Sequence, residues 1–266
     1  MSGPHLPPEL VDYIVDLLHD KPETLKQCCL VSKSWVPRIR IHLFADIRFP
    51  APKRLQSWKE IFPDPASSPA RYAKTLYVGP YIVTPAGPEV DGWIRDFSRV
   101  EHLEVYSQEL FPCRPPPFAP FHGLSPVVKS LCMSFAVLLP PWTFNLILSF
   151  PLVEDLAVIV RGRWGDNDDG DGSGEDEIPT AAQPSSSPMF TGSLELYLKG
   201  GMDPFARRLL SLQGGVHFRK LTSTWSHDGD IWTTMTLVNR CSHSLESLRI
   251  TGEPPGTCIW YLCPHR

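Results

Sequence analysis

The sequence predicts an α/β protein that begins with a three-helix unit and continues as an irregular solenoid of strand–helix units. Residues 1–48 carry apolar side chains at helical spacing. From residue 76 onward a short pattern with a central leucine recurs. Hydrophobic residues make up 42% of the chain and charged residues 20%, so most of it can fold around a core. We therefore divide the chain into 1–48, a linker at 49–75 and a repeat domain at 76–266.

Composition excludes several classes of partner and compartment. The net charge is −4 and no cluster of lysine and arginine stands out, so neither nucleic acid nor an anionic membrane is expected as a partner. No apolar run approaches the ~18 residues of a membrane span. The 7 cysteines are irregularly spaced, without a CxxC motif, and the N-terminus lacks the features of a secretory signal. We expect free thiols in a cytoplasmic or nuclear protein.

The first 48 residues divide into three short helical segments. In "LPPELVDYIVDLLHD" (6–20), Leu10, Ile14 and Leu17 recur on one helical stripe, and Pro7 and Pro8 suit a first turn. "PETLKQCCLV" (22–31) predicts a second helix, in which the two adjacent cysteines are small apolar residues. "SKSWVPRIRIHLF" (32–44) predicts a third, because its proline is tolerable in the first turn.

This segment resembles the F-box. The matching positions are Leu6, Pro7, Glu9, Ile14, Leu17, Leu18, Leu25, Val31 and Trp35. The match covers about residues 5–48 and resembles fungal members in the "HLFADIRF" that follows. One departure is Ser32, where the family often has cysteine.

The resemblance implies binding to a Skp-type adaptor and, through it, to a cullin. Such recognition inserts apolar anchors of short helices into a partner groove. The expected adaptor-binding residues are Leu6, Pro7, Leu10, Ile14, Leu25, Val31 and Trp35. For Ile14 and Trp35 the alternative is a role in holding the three helices together. A further alternative is that the helices simply pack onto the rest of the chain.

The remainder of the chain resembles a degenerate leucine-rich repeat. The central leucines are Leu76, Leu103, Leu131, Leu156, Leu196, Leu221 and Leu248. All but one of their spacings fall within the roughly 20–29 residues of such repeats. The exception contains 161–189, an acidic and then Pro/Ser-rich stretch that predicts a disordered insertion. A compact α/β domain of irregular order is the alternative. Because the chain ends soon after the last predicted strand, we expect an irregular end or a truncated array.

The open face of the predicted strands is the expected target-binding surface. Alternate strand residues point away from the buried leucines. The tentative substrate-binding residues are Tyr77, Glu104, Tyr106, Ile159, Tyr197 and Arg249. Tyrosine suits such a role because it offers apolar area with a polar tip. The alternative is that the ligand contacts lie elsewhere.

No motif predicts catalysis, a metal or a cofactor. P-loop, dinucleotide-binding, zinc-protease and nucleophile-elbow motifs are absent from the sequence. Asn167, Asp169 and Asp171 have the spacing that starts a calcium loop, but Ile178 stands where the bidentate glutamate is required. An enzyme with an unrecognised site in 190–266 is the remaining alternative of this class.

The predicted function is therefore that of a non-enzymatic substrate receptor of a Skp–cullin–F-box ubiquitin ligase. The N-terminal helices would recruit the adaptor, and the repeat domain would present an unknown protein target. The alternative is a non-catalytic interaction scaffold that binds the adaptor outside a ligase complex.

Overall fold

The computed structural model describes residues 6–79, 93–107, 121, 124, 127–136, 143–161, 190–198, 202–212, 215–225 and 228–252. Within them lie the α-helices α1 (Pro8–Leu17), α2 (Pro22–Cys28), α3 (Val36–Leu43), α4 (Pro52–Ile61), α5 (Thr143–Leu148), α6 (Met202–Leu210) and α7 (Asp228–Cys241). The strands are β1 (Asp46–Phe49), β2 (Thr75–Val78), β3 (His102–Ser107), β4 (Ser130–Phe135), β5 (Asp155–Val160), β6 (Ser193–Leu198), β7 (Lys220–Trp225) and β8 (Ser247–Gly252). Pro69–Tyr72 and Trp93–Asp96 form 3-10 helices.

The eight strands form a single parallel sheet in the order of the chain, from β1 to β8. The predicted fold class, an N-terminal helical unit followed by a solenoid, is therefore wrong, although the broader α/β assignment is correct. The sheet begins inside the segment assigned to the helical unit, because Asp46–Phe49 pairs with Thr75–Val78. In this strand only Ile47 and Phe49 are buried, and the leucine pattern is absent. The sequence pattern therefore did not predict a strand here.

The chain forms two compact units. The first comprises Met1–Tyr106 with Pro115–Lys129, and the second comprises Ser107–Arg114 with Ser130–Arg266. Residues 49–75, expected as a linker, contain α4 and the 3-10 helix Pro69–Tyr72. The acidic insertion lies outside the described residues apart from Arg161.

In the first unit an aromatic cluster covers one face of β1. Phe49 contacts Trp58 of α4, and also Trp93 and Phe97, edge-to-face, with ring centroids 5.4–6.0 Å apart. Such contacts add to the stabilisation from buried area. Phe97 is fully buried. The cluster therefore joins two segments distant in sequence to the first strand.

In the second unit β4–β7 align a row of leucines on their buried face. The register pairs Leu131 with Leu156, Leu156 with Leu194, and Leu194 with Leu221. The equivalent of the other central leucines in β6 is therefore Leu194, and the assignment of Leu196 was wrong by two residues. Because strand side chains alternate with period two, both leucines still face the same side and both are buried.

Helices pack on the buried face of these strands. Ser223 of β7 and Thr234 of α7 are both buried, and their hydroxyls are hydrogen-bonded at 3.0 Å. Among the helices of the described ranges, none is long and apolar enough to cross a membrane.

We expect Phe97→Ala to lower the free energy of unfolding by about 3–5 kcal/mol, because it leaves a cavity in the aromatic cluster. Urea denaturation followed by tryptophan fluorescence measures this loss. Ile61→Ala is the control, since Ile61 is 67% exposed and its truncation should change stability by no more than about 0.5 kcal/mol. Equal effects of the two variants would contradict the packing described here.

Candidate docking surface

Helix α1 is apolar on two faces. Pro8 occupies the first turn, and Glu9 favours the positive end of the helix dipole. Val11 and Val15 are buried against the rest of the chain. Leu10, together with Tyr13 and Leu17 three and seven residues later, lies on a different stripe.

The buried face of α1 belongs to a small core shared by the three N-terminal helices. Its centre consists of Val11, Val15, Leu25 and Ile39, at most 8% exposed. Partly buried residues pack around this centre, namely Leu18, Cys28, Cys29, Trp35 and Leu43. Cys28 and Cys29 are free thiols, as expected. Their role is packing within this core.

A polar clamp joins α1 to α3 beside this core. Asp16 accepts a hydrogen bond from Arg38 Nε to its Oδ1 at 2.8 Å and a second from the Arg38 Nη2 to its Oδ2. The His42 Nε2 lies 2.8 Å from the same Oδ1. The hydrogen bond from Arg38, followed by that from His42, lowers the pKa of Asp16 to about 2. The hydrogen bond to Asp16 in turn raises the pKa of Arg38. These bonds fix α1 against α3, and the second apolar face of α1 is exposed to solvent.

That second face is part of what we call the N-terminal apolar surface. Its members are large hydrophobic side chains of the first thirty-one residues that the described part of the chain leaves about half exposed or more. They are Leu6 (52%), Leu10 (49%), Tyr13 (62%), Leu17 (59%), Leu30 (88%) and Val31 (68%). Exposed apolar side chains of this number on one short segment are typical of a protein-interaction site.

The turn after α2 presents the last two members of this surface. The backbone N–H of Leu30 donates to Gln27 O at 2.9 Å, and that of Val31 donates to Cys28 O at 3.1 Å. Ser32 and Ser34 continue the turn with hydroxyls 2.9 Å apart. The backbone of the turn is thus satisfied locally, while its two apolar side chains point to solvent.

The residues predicted to bind an adaptor fall into two groups. Leu6, Pro7, Leu10 and Val31 are exposed and available for contact. Leu25 is fully buried in the helical core, Trp35 packs against that core, and Ile14 is half-buried.

Tyr13, Leu17 and Leu30 are exposed but do not belong to the expected contact set. The available signal was their spacing, because Tyr13 and Leu17 continue the stripe that starts at Leu10. Leu30 follows directly after the helix and carried no such periodic signal.

The expected target-binding residues lie on the strand face opposite the buried leucines. In the first unit Arg48, Tyr77 and Glu104 occupy one row across β1–β3. Arg48 is bound to Asp46 at 3.1 Å, and its guanidinium lies 5.9 Å from the centre of the Tyr77 ring. The hydrogen bond that Arg48 donates to Asp46 raises the pKa of Arg48. The charge of Arg48 is therefore satisfied within the unit.

In the second unit two rows of the same face are registered across all five strands. Cys132, Ala157, Glu195, Thr222 and Arg249 form the first row. Ser134, Ile159, Tyr197, Thr224 and Thr251 form the second row. The structure thus aligns Ile159 with Tyr197 and places Arg249 two strands from Glu195. Tyr106 is half-buried on β3.

No group of three or more histidine, cysteine, aspartate or glutamate side chains that could hold a metal occurs in the described ranges. The acidic stretch tested for calcium lies outside them. In comparisons, no protein-family model, curated protein or solved structure matches the chain. The two surfaces described above are therefore the observations from which a function is argued.

The clamp predicts acid sensitivity of the three-helix segment. Because the pKa of Asp16 is depressed in the folded state, its contribution to stability is present above the ordinary value of 3.8 and is lost as pH falls towards about 2. We expect Asp16→Asn to lower stability at neutral pH by about 1 kcal/mol, a small effect because the pair is partly exposed. Thermal melts at several pH values measure both effects.

The loss of stability between pH 4 and pH 2 should be smaller in Asp16→Asn than in the unmodified chain. Asp12→Asn is the control, since Asp12 lies exposed on the same helix and accepts no hydrogen bond within the described residues. The same pH profile in all three proteins would refute the role assigned to the clamp.

Proposed function

We propose that the chain is the substrate-receptor subunit of a Skp–cullin–F-box ubiquitin ligase. Helices α1–α3 bind the Skp-type adaptor, and the open strand face binds a protein target in the cytoplasm or nucleus. The observation that carries the proposal is the N-terminal apolar surface, whose exposed residues include three of the seven positions expected from the F-box pattern, namely Leu6, Leu10 and Val31.

The energetics of this surface favour a helix-binding partner. Burying apolar area contributes roughly 25 cal/mol per Å², so covering several leucine-sized side chains supplies several kcal/mol towards association. Leu10, Tyr13 and Leu17 have the i, i+3, i+7 spacing by which a helix lays its apolar face into a hydrophobic groove. The opposite face of α1 is already satisfied by the helical core. A partner can thus bind without disturbing the fold.

The charges of α1 restrict the partner further. All charged residues of the helix are acidic, namely Glu9, Asp12 and Asp16. Asp16 is neutralised by Arg38, which leaves Glu9 and Asp12 exposed at the edge of the apolar stripe. An apolar groove with a neutral or basic rim complements this arrangement, because like charges across an interface oppose binding.

In this proposal the chain makes and breaks no bonds itself. It acts by holding a target and the adaptor on one polypeptide, which raises the effective concentration of the target near the transferring enzyme. The two surfaces consist of residues on different elements, helices α1–α3 and the strands, which supports that role.

We expect Leu10→Asp and Val31→Asp each to reduce co-purification with a Skp-type adaptor by at least about tenfold, because each buries a charge in an apolar contact. The matched control is Ile61→Asp. It introduces the same charge in place of a leucine-sized side chain that is 67% exposed and does not belong to the N-terminal apolar surface. Circular dichroism establishes that all three variants are folded.

Adaptor binding that survives both surface variants, or that the unmodified chain lacks, would refute the proposal. Cullin in the purified complex is the second readout. A complex that contains the adaptor without cullin would favour the scaffold function over the ligase.

A further inference from the structure

The strand face of the second unit has its charges sorted by strand. Asp155 on β5 and Glu195 on β6 are acidic, whereas Lys220 on β7 and Arg249 on β8 are basic. These are the charged side chains that β4–β8 place on this face, since the remaining positions are Ser, Thr, Cys, Ala, Ile and Tyr. The face therefore has an acidic side and a basic side.

Three of these charges, on Glu195, Lys220 and Arg249, form no salt bridge with a described residue. Asp155 accepts hydrogen bonds from Ser193 N and Ser193 Oγ, both at 2.6 Å. Glu195 and Arg249 are exposed, and neither forms a salt bridge with a described residue. They contrast with Arg48 in the first unit, which is paired with Asp46. Unpaired opposite charges held on the rigid strands of one sheet are typical of a surface that meets complementary charges on a partner.

The sheet sets the distance between Glu195 and Arg249. Glu195, Thr222 and Arg249 are registered on neighbouring strands. Strands in a sheet are about 4.8 Å apart, so the Cα atoms of Glu195 and Arg249 lie about 10 Å apart. A polyproline II segment rises about 3.1 Å per residue with three residues per turn, so its residues i and i+3 share one side about 9 Å apart.

The residues between the charges favour an extended partner over a helical one. The hydroxyl of Thr222 lies between the two charges, and those of Thr224 and Thr251 lie in the next row, hydrogen-bonded to each other at 2.8 Å. Hydroxyls can bond the free backbone N–H and C=O groups of an extended chain, whereas a helix has already paired its own. Beyond Glu195, half-buried Ile159 and Tyr197 form a registered apolar pair.

We propose that this face binds an extended, polyproline II-like protein segment that crosses β6–β8. The segment carries a basic residue over Glu195, an acidic residue three positions away over Arg249, and an apolar side chain against Ile159 and Tyr197. This inference rests on the proposed function, because it names the class of target segment that the receptor recognises.

The test uses the full-length chain and short fluorescein-labelled proline-rich peptides in anisotropy titrations. One probe carries Lys-x-x-Glu with a leucine on the lysine side. Matched probes carry Lys-x-x-Lys, Glu-x-x-Glu, or lysine and glutamate on adjacent residues. A helical alanine-rich probe places lysine and glutamate seven residues apart, which spans about 10.5 Å. We expect the first probe to bind best, by about fivefold, as suits an exposed pair of charges.

Variants of the chain sharpen the test. Glu195→Arg should prefer the Glu-x-x-Glu probe and Arg249→Glu the Lys-x-x-Lys probe, each losing about fivefold for the mixed probe. The double variant should prefer a mixed probe whose leucine lies on the glutamate side, because its glutamate then lies over position 195 and its leucine against Ile159 and Tyr197. The control is Arg240→Glu, which reverses the charge of an exposed residue on α7, away from the strand face. This variant should bind all probes as the unmodified chain does.

No binding of any probe, equal affinity for the four extended probes, or tighter binding of the helical probe would each overturn this inference. Adaptor binding is measured on the same preparations. If the adaptor binds and the probes do not, the proposed function stands and the segment class is wrong. If the probes bind as expected and the adaptor does not, the face is a peptide-binding site on a protein of another function.

Discussion

The fold depends on parallel pairing between strands that follow one another in the chain. Parallel neighbours cannot be joined by a tight turn, so every connection must cross over and return to the same end of the sheet. Where the structure describes the connections, they include helices that pack on one face, as α7 does through Thr234 and Ser223. That face must be apolar, which explains the aligned leucines of β4–β8. The other face is the one that the proposed function assigns to target binding.

This constraint also explains what the sequence could reveal. A leucine that must be buried once per strand leaves a periodic trace, and the seven predicted strands around Leu76 to Leu248 are present as β2–β8. The leucine pattern did not predict a strand where the apolar alternation is confined to that strand and the recurring leucine is absent. β1 offers only Ile47 and Phe49, and it is recognised as a strand only because it pairs with β2 and lies under Trp58, Trp93 and Phe97. Leu194 and Leu196 cannot be distinguished by pattern, since only the register with Leu156 separates them.

The candidate docking surface shows a different limit. Apolar periodicity identified α1 as an amphipathic helix, but Leu10 and Val11 are adjacent, and spacing alone does not say which one faces the core. The packing decides this, since Val11 and Val15 meet Leu25 and Ile39. Leu25 and Trp35 consequently serve the interior of the helical segment, while Tyr13, Leu17 and Leu30 join the exposed set. Residue type and spacing predicted a docking element, and burial shows which of its apolar residues are exposed.

The two surfaces differ in the chemistry by which they would hold a partner. The N-terminal surface is built from leucine, valine and tyrosine, and burial of such residues favours a stable complex whose affinity depends little on salt. The strand face of the second unit presents isolated charges and hydroxyls, and exposed charge pairs contribute only about 0–1 kcal/mol each and weaken with salt. A lasting contact on the helices and an exchanging contact on the strands is the combination that a receptor needs if it is to release one target and accept another while it remains in its complex.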